Sequence, residues 1–281
     1  KKIVLGYDCR FGGNMFAKAA AEVFVDFGIE VLFADKFVST PMISMAAYEY
    51  NAGLGIVLTA SHNPASYNGF KLKAAYGGPA SPADVAEIEI LIPESVEDKT
   101  SFEEALSEGK ITFSSFEDLY FEKAAATFDL DLLRSNGTKF IYDAMYGAGQ
   151  DIFKRLIPTA RVLNGSFNPS FNGTAPEPIA KNLKEISKTI SQGNYLCGLA
   201  TDGDADRIGF FDGDGNFVDS HHLILLLMQY LVSAKGYNGK VVKSFSVSDK
   251  IQVLATEMGL ETITTKIGFK YICTHMVEDD V

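Results

Sequence analysis

Two short stretches of this 281-residue chain carry side chains whose types and spacing suit catalysis. The first is "LTASHNPASYNGFKLK", residues 58 to 73, in which Ser61 and His62 follow the apolar run "GLGIVL". A serine there sits at the carboxyl end of a strand, where open α/β sheets place their ligands. Asn63-Pro64 and Asn68-Gly69 are turn dipeptides, so the loop curls twice and returns Lys71 and Lys73 toward the serine. A cation beside a serine suggests a phosphoryl group; the plainer alternative is an Asn-Pro turn with surface lysines. A serine-hydrolase arrangement fails, because there is no G-x-S-x-G elbow and the adjacent His62 is badly placed to take the Ser61 proton.

The second stretch is "ATDGDADRIG", residues 200 to 209, where Asp202, Asp204 and Asp206 alternate. Carboxylates at alternate positions of an extended loop converge on one side and repel one another unless a cation neutralises them. An all-oxygen ligand set indicates a hard divalent ion, Mg²⁺ or Ca²⁺. An EF-hand would need glycine at the sixth loop position and glutamate at the twelfth, but Arg207 and Gly213 stand there. Few protein ligands with room for a phosphate oxygen is the usual arrangement of Mg²⁺ at phosphoryl-transfer sites. Arg207 then steadies a phosphate or the ligands themselves; the alternative is a solvated acidic loop. Arg10 in "GYDCR" ends the first strand and faces the same sheet edge as Ser61, or forms a salt bridge with Asp8. Lys266 and Lys270 in "TTKIGFKYI" flank a glycine turn and would hold a phosphate or a sugar hydroxyl, or open a helix. His221, His222 and His275 show no metal-ligand spacing and read as cap or surface residues.

These loops need rigid elements behind them, and the chain supplies strand and helix patterns in alternation. "KIVLGYD", "IEVLFAD" and "LGIVLTA" read as strands separated by helical segments, which argues for βαβ units and a parallel or mixed sheet. In the first helix Phe16, Ala20, Val23 and Phe27 recur at helical spacing and mark a buried stripe, with Gly28 as the C-terminal cap. The acidic stretch from about 79 to 112 suggests a boundary, giving units over 1–108, 109–216 and 217–281. The Asp-Gly pair in "FDGDGN" suits a hairpin turn, and "LILLLMQYLV", residues 223 to 232, reads as a buried helix too short to span a membrane.

Composition narrows the function. With 47% hydrophobic and 22% charged residues the chain reads as globular, and its net charge of −11 argues against nucleic acid or a membrane surface as partner. Cys9, Cys197 and Cys273 are scattered, which suggests neither a disulfide framework nor a zinc site and fits a reducing cytoplasm.

Taken together, "TASHNPASYNGFK" and "DGDADR" resemble the two signature loops of the α-D-phosphohexomutases, the phosphoglucomutase and phosphomannomutase family. Supporting matches are "GYDCRF", the "TP" at 40 to 41, "PEPIAKNLKEI" and "TTKIGFKYI". The resemblance implies successive three-layer α/β/α domains with mixed sheets. It implies that Ser61 carries a catalytic phosphate, that Asp202, Asp204 and Asp206 bind Mg²⁺ together with that phosphate, and that Lys71 is the general acid or base. His62, Arg10 and Arg207 would support the site, and Lys266 would contact the phosphosugar. The reaction implied interconverts hexose 1-phosphate and hexose 6-phosphate, of glucose or mannose, through a bisphosphorylated intermediate, with hexose 1,6-bisphosphate as activator. The threonine opening "TASHNP" leans away from the amino-sugar branch.

Measured against that family, the chain is expected to be a fragment, lacking an N-terminal segment, part of the third domain and the fourth, and so to turn over poorly alone. Two other readings compete: a silent sugar-phosphate-binding paralogue, and a haloacid-dehalogenase-like phosphatase using Asp204-x-Asp206 as its aspartyl centre.

Overall fold

A computed structural model describes residues 1–95 and 100–278; positions 96–99 of the acidic stretch and the terminal 279–281 lie outside it. Its strands form three sheets. The first is assembled from β1 (Lys2–Tyr7), α1 (Gly13–Asp26), β2 (Glu30–Ala34), α2 (Thr40–Glu49), β3 (Leu54–Leu58), β4 (Phe70–Ala74), α3 (Pro82–Ile90), α4 (Phe102–Ser107) and β5 (Ile111–Ser114). The strand order is β4-β3-β1-β2-β5, parallel except for β4, which runs antiparallel to β3. Its central strands are apolar on both faces because both are covered. Leu5, Phe33 and Ile56 pack against α1 and α4, while Val4 and Val57 pack against Ile43 and Ala46 of α2.

Two expectations are corrected here. The buried stripe of α1 is Gly13, Ala17, Ala21 and Val25, whereas Phe16 and Phe27 are exposed. Small residues let the helix lie close on the sheet, and the bulky rings are displaced to its rim. The break expected at 108 also falls too early, since β5 follows it and completes the first sheet by pairing with β2.

The second sheet is built from α5 (Phe116–Thr127), α6 (Leu130–Ser135), β6 (Phe140–Asp143), α7 (Gln150–Leu156), β7 (Arg161–Leu163), α8 (Lys184–Ser191), β8 (Cys197–Thr201), β9 (Ile208–Phe211) and β10 (Phe217–Val218). The order is β10-β9-β8-β6-β7, and β9 and β10 form the hairpin that the Asp-Gly pair predicts, with Gly215 at φ 85°. Ile186 and Ile190 of α8 cover one face with Ile141 and Phe211. Phe116 of α5 and Ile152 of α7 join the cluster beneath α2, so helices of the second unit pack into the core of the first, while the second sheet keeps a cluster of its own.

The remaining elements are α9 (Ser220–Gln229), β11 (Lys240–Ser244), α10 (Lys250–Glu257), β12 (Glu261–Thr265) and α11 (Phe269–Glu278), with β11 and β12 a parallel pair. The helix expected over 223 to 232 forms as α9, but none of its residues is buried, and Leu226 is 55% exposed. It packs on α10 beside a sheet of only two strands, which cannot cover a helix apolar on several sides. No helix among the described residues is long and apolar enough to cross a membrane.

One glycine fixes where α2 lies. A Cβ on Gly6 of β1 would come 2.5 Å from Val38 Cγ2 and 2.8 Å from Ile43 Cδ1, so α2 and the segment before it occupy the space a side chain would need. Gly6→Ala is expected to destabilise the protein by about 1–3 kcal/mol through overpacking. Urea unfolding checks this; an unchanged midpoint would show that α2 is not seated on Gly6.

Candidate active site

The carboxyl ends of β3 and β8, from different sheets, aim their loops at each other. β3 leads into Thr59, Ala60 and Ser61; β8 leads into Asp202. The Ser61 hydroxyl donates to Asp202 Oδ2 at 2.8 Å, joining the two signature stretches. Ser61 (φ 52°) and Ala205 (φ 53°) both adopt the left-handed conformation, uncommon without glycine and frequent where a loop must aim a functional group. Gly203 is required by proximity, since a Cβ there would lie 2.5 Å from the Ser61 carbonyl oxygen.

The three aspartates converge as their alternation predicts, offering carboxylate oxygens within 4.8 Å of one another. Asp202 and Asp204 are wholly buried and Asp206 is exposed. Asp202 Oδ1 accepts from the backbone N–H groups of Asp206 and Arg207, each at 3.0 Å, which curls the loop around it. Asp204 Oδ2 accepts from Thr40 Oγ1 at 2.5 Å and Lys71 Nζ at 2.6 Å, and Lys71 also reaches Asp206 at 2.9 Å. Asp204 Oδ1, though buried, has no hydrogen-bond partner among the described residues. An unpaired buried carboxylate oxygen facing two further carboxylates is the environment a divalent cation satisfies, so the residues fit Mg²⁺. Burial, then the charges of Asp204 and Asp206, push Asp202 up to about 7. Lys71 is opposed by its own burial, but the two aspartates raise it, so it carries its proton at neutral pH.

Arg10 lies beneath the serine loop, 3% exposed. Its guanidinium donates to the carbonyl oxygens of Ser61 (2.6 Å), Asn63 (2.8 Å), Pro64 (2.8 Å) and Tyr67 (3.1 Å), and its Nε to Asp8 Oδ2 at 3.2 Å. All five N–H donors of the group are thereby engaged. Asp8 also accepts from Thr59 Oγ1 at 2.7 Å, and that hydroxyl accepts from the Ser61 N–H at 2.8 Å. Arg10 thus pairs with Asp8 and at the same time clamps the backbone of the serine loop.

A cavity of about 1070 Å³ opens beside this cluster, and Ser61, Lys71, Asp206 and Arg207 line it. His62 follows Ser61 in the same loop, its Nδ1 buried with no partner among the described residues and its pKa lowered by burial and by Arg207. The structure does not bring Lys266 to the cluster. It is exposed after β12, and the third unit reaches the cavity instead through Phe269, Cys273, Met276 and Val277 of α11. Sequence reasoning missed Asp8, Thr59 and Thr40 as site residues. Thr40 had a legible signal, "STP", in which Ser39 caps α2 and sets Thr40 in its first turn, where its N–H donates to the Asp204 carbonyl at 2.9 Å.

Comparison with known proteins decides the family. Residues 1–99, 118–215 and 219–281 match, in order, alpha/beta/alpha domains I, II and III of phosphoglucomutase/phosphomannomutase. The chain belongs to the phosphoglucomutase/phosphomannomutase family. A protein of Methanosphaera stadtmanae named as a probable phosphoglucosamine mutase is 32% identical over 95% of this chain and 58% of its own length. A phosphoglucosamine mutase of Thermoanaerobacter sp. is 31% identical over 99% of this chain and 62% of its own. This family member thus spans about three-fifths of the length of these relatives. A crystal structure of a Thermus thermophilus protein, named provisionally as a phosphomannomutase, superposes with a TM-score of 0.90 at 32% identity, covering 99% of this chain and 63% of that one.

The arginine clamp and the buried carboxylate each have a measurable consequence. Arg10→Met leaves Asp8 buried without its counter-ion and should cost roughly 3–5 kcal/mol of stability. Amide hydrogen exchange over residues 61–69 should accelerate, and unchanged protection there would show that the arginine does not hold the loop. For Asp202 the consequence is a pH dependence. A carboxyl more basic folded than unfolded favours the folded state at low pH, and that contribution is lost as pH rises from about 4, its unfolded value, through about 7. Without divalent ions the melting temperature should fall between pH 5 and pH 8, Mg²⁺ should restore more of it at pH 8, and Asp202→Asn should flatten the slope. A wild-type slope in Asp202→Asn would assign the pH dependence elsewhere.

Proposed function

We propose that this chain carries the phosphoryl-transfer centre of a phosphohexomutase, interconverting hexose 1-phosphate and hexose 6-phosphate through a phosphoserine at Ser61 and a bisphosphorylated sugar. The observation that carries the reading is the 2.8 Å contact of the Ser61 hydroxyl with Asp202, in a cluster of three carboxylates and a lysine. A serine beside three carboxylates is a poor place for a neutral nucleophile and a good one for a phosphate shared with a metal ion. Asp202, Asp204 and Asp206 would hold Mg²⁺, which supplies the charge neutralisation that a loose, highly charged phosphoryl transition state needs.

The chain's own residues do the rest. Arg10 fixes the loop that presents Ser61, and its five engaged donors leave it no part in touching substrate. Lys71, held protonated by Asp204 and Asp206, gives a proton to the leaving oxygen in one direction and takes it back in the other. Arg207 lines the cavity and would steady a phosphate there. His62, its charge disfavoured by burial and by Arg207, stands as a neutral neighbour of the serine. Lys266 would reach the phosphosugar only from its exposed position beyond β12.

Glucose and mannose are the sugars toward which the threonine of "TASHNP" leans, and the names of the relatives add glucosamine. Hexose 1,6-bisphosphate would prime Ser61. The aspartyl-phosphate alternative is not favoured, because Asp204 is wholly buried with Oδ2 engaged by Thr40 and Lys71. Intact-mass and peptide mass spectrometry after incubation with glucose, mannose or glucosamine 1,6-bisphosphate and Mg²⁺ tests the reading. One phosphate on Ser61, absent from Ser61→Ala and reduced at least about 100-fold in initial rate by Lys71→Met, is expected for loss of a positioned acid. Phosphate on an aspartate instead, or sugar-phosphate binding with no labelling at all, would favour the phosphatase or the silent-paralogue reading respectively.

A further inference from the structure

Thr40 belongs to neither signature loop, yet it grips Asp204 twice. Its backbone N–H donates to the Asp204 carbonyl at 2.9 Å, and its hydroxyl donates to Asp204 Oδ2 at 2.5 Å. The helix explains the first contact. Thr40 opens α2 behind the Ser39 cap, and the N–H groups of a first helical turn have no partner inside the helix, so this one is free to reach another loop. The branched side chain explains the second. Threonine is stiff about χ1, and burial confines its hydroxyl further.

The direction of that hydroxyl bond is also fixed. Lys71 Nζ lies 3.5 Å from Thr40 Oγ1, and an ammonium can only donate. The Thr40 oxygen therefore offers a lone pair to the lysine and its single hydrogen to the carboxylate. Lys71 reaches Oδ2 as well, at 2.6 Å, but through a long side chain that it shares with Asp206. Thr40 is the stiffer of the two donors. Rotating the Asp204 carboxylate would break both bonds, and Oδ1, buried with no partner among the described residues, is the oxygen left for an ion.

Whether a carboxylate offers one oxygen or two bears on the choice of ion. Ca²⁺ gathers more oxygens than Mg²⁺ and accepts carboxylates two oxygens at a time, whereas Mg²⁺ is smaller and holds strictly to octahedral geometry. We propose that Thr40 is a positioning residue that keeps Asp204 to a single open oxygen, Oδ1, and so biases the carboxylate cluster toward Mg²⁺ over Ca²⁺. The inference rests on the reading in which Asp202, Asp204 and Asp206 hold a divalent ion, and adds which residue sets the ion preferred. Thr40 acts through Asp204, and no bond is made or broken at its hydroxyl.

The test is the rise in melting temperature of the chain with MgCl₂ and, separately, with CaCl₂, at one pH and fixed ionic strength, which gives an apparent affinity for each ion. Thr40→Val keeps the branched shape without the hydroxyl and should weaken Mg²⁺ about 10–100-fold, the loss usual when a partner behind a metal ligand is removed. Ca²⁺, able to take the freed oxygen as well, should weaken by less, so the ratio of the two affinities shifts toward Ca²⁺. Thr40→Ala, a second variant without the hydroxyl, should match Thr40→Val, and Thr40→Ser, which keeps it, should retain both the Mg²⁺ affinity and the ratio. Equal weakening of the two ions would mark a loop merely disturbed and overturn the proposal. An unchanged Mg²⁺ affinity without the hydroxyl, or a Thr40→Ser variant that behaves as Thr40→Val, would overturn it too. The wild type separates the two ideas. If its melting temperature answers to neither ion, the metal-ion reading falls and this inference with it; if it answers to Mg²⁺ and the variants keep its preference, only this inference falls.

Discussion

Three carboxylates, two of them buried and the third at the edge of the cavity, repel one another, and the site is organised around containing that repulsion. Asp202 and Asp204 are shielded from water, which removes the solvent that would otherwise screen them. Lys71 answers part of the charge, Thr40 and two backbone N–H groups another part, and one Asp204 oxygen is left unanswered. That residue of unbalanced charge suits the loops to a divalent ion and a phosphate, whose charges interlock with it.

The supporting structure serves this arrangement at one remove. The seat of α2 against Gly6 carries Thr40 to Asp204, and the antiparallel turn of β4 against β3 carries Lys71 to the same carboxylate. The Arg10 clamp holds four carbonyls of a loop too irregular to satisfy them by itself. Loops can hold a strained, functional conformation only when a rigid frame over-determines them.

Much of this was legible in the sequence, for physical reasons. Alternation of apolar strands and helical runs reported the α/β layers, and the spacing of Asp202, Asp204 and Asp206 reported their convergence because a period of two needs no tertiary information. What sequence could not give was set by packing. The buried stripe of α1 went to its small residues because sheet and helix approach closely there, and periodicity alone does not distinguish alanine beneath a helix from phenylalanine at its edge. β5 is separated from its partner β2 by three helices, two strands and an acidic stretch, so nothing local assigns it to the first sheet. The engagement of Arg10 depends on four carbonyls more than fifty residues away, which no pattern around "GYDCR" records. Lys266 lies exposed after β12, and a motif of that kind does not by itself say which part of the fold its lysine will face.

The shared cluster beneath α2 has a mechanical consequence. Ile43 and Ala46 from the first unit interlock with Phe116 and Ile152 on α5 and α7, and Gly203 leaves no gap between the serine loop and the aspartate loop. Sliding the first two units apart would flood that apolar layer and sever the Ser61 to Asp202 contact in the same movement, so they travel as a single body. Phe269, Cys273, Met276 and Val277 of α11 line the cavity from the third unit. A ligand in the cavity would therefore touch the third unit as well as the joined first two, because residues of all three line its wall.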